Sequence, residues 1–331
     1  MPAQPARLAC VGAAVATCYS PTTVWVRHNS VDKRFYYRKP THFDSVPKSV
    51  PCGKCINCRI RRARDWATRI CLEAHLHPLG TSFMINPTYD PEHLPAGGTL
   101  VSDEVTRFIE RLRYRTALPL RFVGCGEYGD KGQRPHYHVI VFGLTLDGVD
   151  GGLRHIGASK SNVPQFKHRL FTEVWGKGRV VASRFEPGAA SYVAGYVVKK
   201  LGGQQEDEFL RRERIDPDTG VVSTYQVEPE YFRMSRRPGI GHGFFEKYPR
   251  SMFPSGFVLI GDRNDRRKVP IPAYFGKQLW KVDMDAHDDH YEAMEERALQ
   301  RERDHPEEYT ERRLQTFREI AEAREARTKR Q

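Results

Sequence analysis

Two histidines two residues apart, His136 and His138, lie in the apolar run Arg134-Pro-His-Tyr-His-Val-Ile-Val-Phe142. The run reads as a β-strand, and side chains two apart on a strand share a face. Both imidazoles therefore point the same way, roughly 7 Å apart along the backbone, a spacing at which two neutral rings can hold one divalent metal. A second chemistry-bearing stretch is Ser191-Tyr-Val-Ala-Gly-Tyr-Val-Val-Lys-Lys200, which reads as a helix stopped by Gly202-Gly203. At about 100° per residue, Tyr192, Tyr196 and Lys199 share one face while Val193, Ala194, Val197, Val198 and Leu201 line the other. The aliphatic stripe anchors the helix, which leaves two phenols and an ammonium for chemistry. Alone, neither element decides anything: the chain holds 13 histidines, and tyrosines four apart on a helix usually pack.

A third candidate is the run Cys52-Gly-Lys-Cys-Ile-Asn-Cys58, followed by Cys71 and His75. Two adjacent CxxC steps suit a structural zinc site with Cys71 or His75 as fourth ligand, while cysteines every three residues also suit a packed helix face.

These stretches, with Gly124-Cys-Gly-Glu-Tyr-Gly129 and Pro238-Gly-Ile-Gly241, make the chain resemble the HUH endonucleases, whose name denotes two histidines around a bulky residue. Within that superfamily it looks most like the rolling-circle replication initiators of the Microviridae, of gokushovirus type. The likeness runs from Cys52 into the 270s. It implies a metal held by His136 and His138 with Glu127, at the end of the partner strand, as third ligand; the competing reading of Glu127 is a surface carboxylate. A carboxylate beside imidazoles suits Mg²⁺ or Mn²⁺. The resemblance further implies that Tyr192 or Tyr196 attacks the scissile phosphate, leaving a 5′-phosphotyrosine and a free 3′-OH. Lys199 would assist by lowering the phenol pKa or neutralising the phosphate; its ordinary reading is a solvated cation at a helix end. The family's first motif falls at Ile85-Asn-Pro-Thr-Tyr89, where Pro87 suggests a bulge and origin-DNA contact is the modest expectation.

The elements that must position these residues follow from pattern. Strands are expected over Thr81–Asn86, Leu120–Glu127, Arg134–Phe142 and Arg179–Phe185. Helices are expected over Cys55–His75, over Ser102–Thr116 with Ser102 as N-cap, and over Gln165–Trp175. The order β-α-β-β-α-β predicts an α+β, ferredoxin-like fold: an antiparallel sheet with helices on one face and the histidines on the open face. The chain divides into a Cys-containing basic region (1–78), the nicking domain (79–203), an accessory region (204–275) and a charged helical tail (276–331), helical over Tyr309–Arg327.

Composition is consistent with a nucleic-acid partner. The 331 residues carry a formal net charge of +12, with 39% hydrophobic residues, enough for a core. Cations interleave with rings at Arg59–Trp66, Arg111–Arg115 and Tyr231–Arg237, the combination that phosphates and unstacked bases require. No apolar run approaches the roughly 20 residues of a membrane span. The mildly apolar Leu8–Thr17, preceded only by Arg7, reads as not secretory, and seven cysteines, an odd number, fit a reducing compartment. The expected protein nicks and rejoins single-stranded origin DNA in the cytoplasm of a bacterial host, with host DNA polymerase and helicase as partners and no membrane. A non-enzymatic single-strand binder or a metal-dependent hydrolytic nuclease are the alternatives.

Overall fold

The structure is a computed structural model that describes residues 18–27, 34–129, 132–149, 151–196, 210–215, 219–261 and 266–330. Two compact units are present: a larger one of Ala63–Met252 with Phe257–Pro272, and a smaller one of Met1–Arg62, Phe253–Gly256 and Ala273–Gln331.

In the smaller unit, β1 (Thr22–Arg27) pairs antiparallel with β2 (Ser45–Val50), and the chain then enters the helix α1 (Ile56–Ala74). The larger unit continues with β3 (Phe83–Tyr89), α2 (Glu104–Thr116), β4 (Arg121–Tyr128), β5 (Pro135–Phe142), β6 (Arg154–Ala158), β7 (Pro164–Lys167), α3 (Arg169–Trp175), β8 (Gly178–Arg184) and α4 (Pro187–Tyr196). After the hairpin β9 (Arg211–Ile215) and β10 (Val222–Gln226) comes β11 (Tyr231–Met234), which joins the main sheet. The seven strands run in the order β11-β4-β5-β3-β8-β7-β6. Its centre, β4-β5-β3-β8 with α2 and α3 as crossovers, is the expected β-α-β-β-α-β arrangement, and every pairing in it is antiparallel.

Strand alternation sorts the sheet into two faces. Phe83, Ile85, Tyr89, Tyr137, Val139 and Val141 point toward α2 and α3 and share one core with Val105, Phe108, Ile109, Leu112, Phe171 and Trp175. Met84, Val123, Cys125, Ile140 and Phe142 point the other way and meet Ile70 of α1, Ala190 and Val193 of α4, and Ile240. The crossover helices α2 and α3 thus cover one face as expected, while α1 and the tyrosine helix occupy the histidine face.

Two local expectations are corrected. The helix expected over Gln165–Trp175 starts only at Arg169: Phe166 lies on β7 opposite Ala182, and His168, in extended backbone, caps the helix by accepting from the Leu170 N–H at 3.1 Å. Phe166 sits four residues before Leu170, so its periodicity mimicked another helical turn. The N-cap of α2 is Asp103 rather than Ser102, and its side chain makes no capping bond. The tail is helical, as expected: α7 (Ala273–Val282) and α8 (Met284–Asp304) precede α9 (Glu311–Arg330), after the short α5 (His242–Lys247), α6 (Pro249–Met252) and the hairpin β12 (Phe257–Ile260) with β13 (Arg267–Pro270). Exposed i,i+4 pairs such as Arg318–Glu322 at 2.9 Å mark α9 as a solvated helix. No described helix is long and apolar enough to cross a membrane.

The Pro238-Gly-Ile-Gly241 motif has a structural role. Glu73 of α1 accepts the Gly241 N–H at 2.6 Å and bonds Arg121 of β4, whose guanidinium also donates to the Pro238 and Gly239 carbonyls at 2.9 and 3.2 Å. Arg69 donates to the Ile240 carbonyl at 3.0 Å, and Ile240 is fully buried. Burial works against the Glu73 charge, but bonds from His77, Arg121 and Gly241 outweigh it and hold the carboxyl below its ordinary range.

Candidate active site

The register of β4 against β5 sets Glu127 opposite His136 and Cys125 opposite His138. All four project from the face that carries α4, whereas Tyr137, between the histidines, is buried on the other face and bonds Tyr89 at 3.0 Å. One carboxylate oxygen, Oε1 of Glu127, lies 2.6 Å from Nε2 of His136 and 2.6 Å from Nε2 of His138. The second nitrogen of each ring also has a partner. Nδ1 of His136 lies 3.0 Å from the Arg134 carbonyl, and Nδ1 of His138 lies 2.7 Å from Oδ1 of Asn86. With Nδ1 donating to those acceptors, both Nε2 lone pairs face the carboxylate. Three electron-rich atoms at such distances require a shared cation or protons between them.

Charge follows from this geometry. Burial raises the Glu127 carboxyl, yet bonds to His136 and His138 overcome it and drive the group far below its ordinary range. Burial lowers His136, and the bond to Glu127 reverses that, so the net shift is upward. The donor set, two imidazoles and one carboxylate oxygen gathered within 4.8 Å, suits a divalent ion with open coordination positions.

The glycines of Gly124-Cys-Gly-Glu127 explain how the strand can carry this site. Their positions face the helix-packed side, where a Cβ on Gly126 would stand 2.7 Å from the Tyr231 ring and 2.9 Å from Leu100. One on Gly124 would stand 2.9 Å from Val105. Alternating glycine lets the covering layer close on one face while Cys125 and Glu127 occupy the other.

Helix α4 brings the tyrosines to the same place. Ala190, Val193 and Ala194 are buried, so the opposite stripe turns to the histidines. The Tyr192 hydroxyl lies 3.3 Å from Oε1 of Glu127 and 3.3 Å from Nε2 of His138. Its ring meets His138 edge-on at 4.9 Å, while Tyr196 stacks on His138 at 5.8 Å with planes 10° apart. Tyr192 is 46% exposed and Tyr196 is half-buried. Burial and then the Glu127 charge raise both phenols above their ordinary range. Lys199 lies outside the described residues.

Asn86 was missed as a site residue. It belongs to the Ile85-Asn-Pro-Thr-Tyr89 stretch, in which Ile85 and Tyr89 are buried on the helix side and thus withdrawn from DNA. Ile85 pairs with Val139 and Thr88 with His136, but the ladder to β5 lapses at Asn86 and Pro87. Proline cannot donate there, and Asn86 faces His138 across the gap. The signal available was parity with Met84, which shares its face.

The basic–aromatic clusters divide. Trp66 and Phe232 meet at 5.0 Å on the histidine face, with Arg69 stacked on Trp66 at 4.1 Å. Arg111, Arg113 and Arg115 instead bind Val174, Leu120 and Glu173 within the α2–α3 layer.

The cysteine run also gathers, with a different fourth member. The sulfurs of Cys18, Cys52, Cys55 and Cys58 lie within 4.8 Å of one another. Cys71, the expected fourth ligand, is thirteen residues beyond Cys58 on α1, about 20 Å along the axis. It packs on the histidine-face core, and burial pushes its thiol up to about 12. His75 packs against Phe244 at 5.7 Å.

Comparison with known proteins places this geometry in a context. The family described as replication-associated protein ORF2/G2P matches residues 82–201, the span from β3 past α4. The chain is 28% identical over 242 residues to the replication-associated protein ORF2 of Spiroplasma virus 4, covering 71% of this chain and 68% of that protein. It is 29% identical over 262 residues to the replication-associated protein VP4 of Bdellovibrio phage phiMH2K, covering 75% and 72%. It is 33% identical over 258 residues to the replication-associated protein ORF4 of Chlamydia phage 1, covering 76% of this chain and 59% of that one. No solved structure matches.

Proposed function

We propose that this chain, which belongs to the ORF2/G2P family of phage replication-associated proteins, initiates rolling-circle replication by nicking and rejoining single-stranded origin DNA through a tyrosine. The observation that carries the reading is the placement of the Tyr192 hydroxyl 3.3 Å from two of the three converging ligand atoms. A packing tyrosine has no reason to direct its hydroxyl at a buried carboxylate and imidazole.

Glu127, His136 and His138 would hold a divalent ion, Mg²⁺ or Mn²⁺ by the hardness of the carboxylate. The chemistry it supplies when bound is polarisation of a non-bridging oxygen of the scissile phosphate. Asn86 and the Arg134 carbonyl keep both rings turned with Nε2 inward. The Tyr192 oxygen attacks phosphorus: the Oη–P bond forms as the P–O3′ bond breaks. The phenol loses one proton and the 3′ oxygen gains one, so no water is consumed and the reverse reaction reseals the strand. Both phenols reach Glu127; Tyr192, the more exposed of the two, takes the first cut and Tyr196, one turn on, the second. The Trp66–Phe232 pair with Arg69 offers stacking and charge to a single strand on the same face. The setting is the cytoplasm of an infected bacterium, with host polymerase and helicase extending the 3′-OH.

The test is covalent capture. Labelled single-stranded circular DNA is incubated with the protein and Mn²⁺ and resolved on a denaturing gel. A chelator-sensitive adduct, reduced in Tyr192→Phe and absent from the Tyr192→Phe/Tyr196→Phe double variant, is the expected result. Cleavage with no adduct would replace the reading by a hydrolytic nuclease, and binding without cleavage by a single-strand binder.

A further inference from the structure

We propose that Cys18, Cys52, Cys55 and Cys58 bind one structural zinc ion, a site independent of the nicking chemistry. The cysteines are free thiols, not disulfides. The sulfurs stand 3.5 Å apart for Cys18 and Cys52, 3.9 Å for Cys18 and Cys55, and 4.0 Å for Cys52 and Cys58. Four thiolates bound about 2.3 Å from a zinc ion occupy tetrahedron corners about 3.8 Å apart. The observed separations bracket that edge. A disulfide would need about 2.0 Å, and thiols that merely pack have no reason to converge four at a time.

The backbone around the cluster is arranged for thiolates. The N–H groups of Lys54 and Cys55 point at Sγ of Cys52, at 3.4 and 3.3 Å, and the N–H of Cys52 points at Sγ of Cys18 at 3.3 Å. Amide donors to ligand sulfur stabilise the deprotonated form and fix its orientation. Gly53, at φ +74°, makes the turn that brings Cys52 and Cys55 together. Cys55 immediately precedes α1 and Cys58 lies in its first turn, while Cys18 enters from just before β1. The ion would thus staple the start of the β1–β2 hairpin to the first turn of α1. Four protein ligands close the coordination shell, the hallmark of structural rather than catalytic zinc.

The experiment uses the full-length protein, dialysed against a weak chelator and analysed for metals. One zinc per chain is expected, and the same content in a His136→Ala/His138→Ala variant, which separates this ion from any bound at the sheet. Cys18→Ser loses the zinc and Cys71→Ser keeps it. Since a missing ligand can also unfold its surroundings, the unmodified protein is loaded with cobalt in parallel, with the charge-transfer and visible bands of a tetrahedral four-thiolate site expected. A wild-type protein free of zinc, iron in its place, a cobalt spectrum without thiolate ligation, or zinc lost in Cys71→Ser but kept in Cys18→Ser would each overturn the proposal.

Discussion

On the sheet, Glu127, His136 and His138 are carried by adjacent strands whose register sets Glu127 opposite His136 and diagonal to His138, whereas Cys18, Cys52, Cys55 and Cys58 meet from a strand approach, a turn and a helix start. The first cluster offers three ligands and faces partly exposed tyrosines; the second offers four and leaves no position open. An ion with a vacant position can engage a phosphate, and an ion with none can only hold chain segments together. The two sites therefore separate under perturbation, and variants that confuse them would break the comparison.

The largest separation is expected from the sheet ligands. Glu127→Gln or His138→Ala removes a group on which several kcal/mol of charge stabilisation depends, so adduct formation falls about a thousandfold or more. Zinc content stays at its wild-type value. Single-turnover nicking followed alongside elemental analysis measures both, and a parallel loss of zinc would show that the clusters are not independent.

Asn86 gives a graded version of the same test. It touches no substrate in the proposed reaction and acts by holding His138 with Nε2 inward, so Asn86→Ala should weaken Mn²⁺ affinity about 10- to 100-fold. Excess Mn²⁺ should restore most of the nicking rate. A variant that binds Mn²⁺ as tightly as wild type, or one that no concentration rescues, would remove Asn86 from the positioning role.

The two sites also differ in how far they could be read from the sequence. That His136 and His138 share a face followed from the two-residue repeat of a strand, and that Tyr192 and Tyr196 share one from the helical period, because both rules act within a few residues; that either pair does chemistry was implied only by the resemblance. The place of Glu127 at the hairpin end was a local matter, while its role as third ligand was implied by the resemblance. Asn86 lay hidden behind Pro87, since a proline in a central strand argues for an end rather than for a gap that opens onto a ligand. Cys18 was beyond reach for another reason: it stands 34 residues before Cys52, and the β1–β2 pairing that returns the chain is a tertiary event. Cys71 was attractive because it was near in sequence, but the straight helix between it and Cys58 carries it away.

A smaller effect tests the sheet scaffold. Gly126→Ala leaves every ligand in place but sets a methyl 2.7 Å from Tyr231 and 2.9 Å from Leu100. Overpacking of this kind costs about 1–3 kcal/mol, so the melting temperature of the larger unit drops by several degrees, with zinc content unchanged. A melting temperature equal to wild type would mean that the covering layer yields at no cost and that glycine there serves something other than packing.

Gly53 is the counterpart at the thiolate site, and the smallest effect. No side chain crowds it, the nearest atom to an added Cβ being the Arg62 guanidinium at 3.5 Å. What a methyl meets is the backbone, held at φ +74°, where a non-glycine residue loses about 1–2 kcal/mol. That strain falls on the turn between Cys52 and Cys55, so Gly53→Ala should release zinc to a competing chelator about 5- to 30-fold more readily, the same free energy read as a ratio. Mn²⁺ affinity at the sheet should not move, because nothing in Glu127, His136 or His138 depends on that turn. Equal zinc retention in Gly53→Ala and wild type would mean that the turn is not strained by the ion's demands, and the convergence of Cys52 and Cys55 would then have to be explained by the hairpin alone.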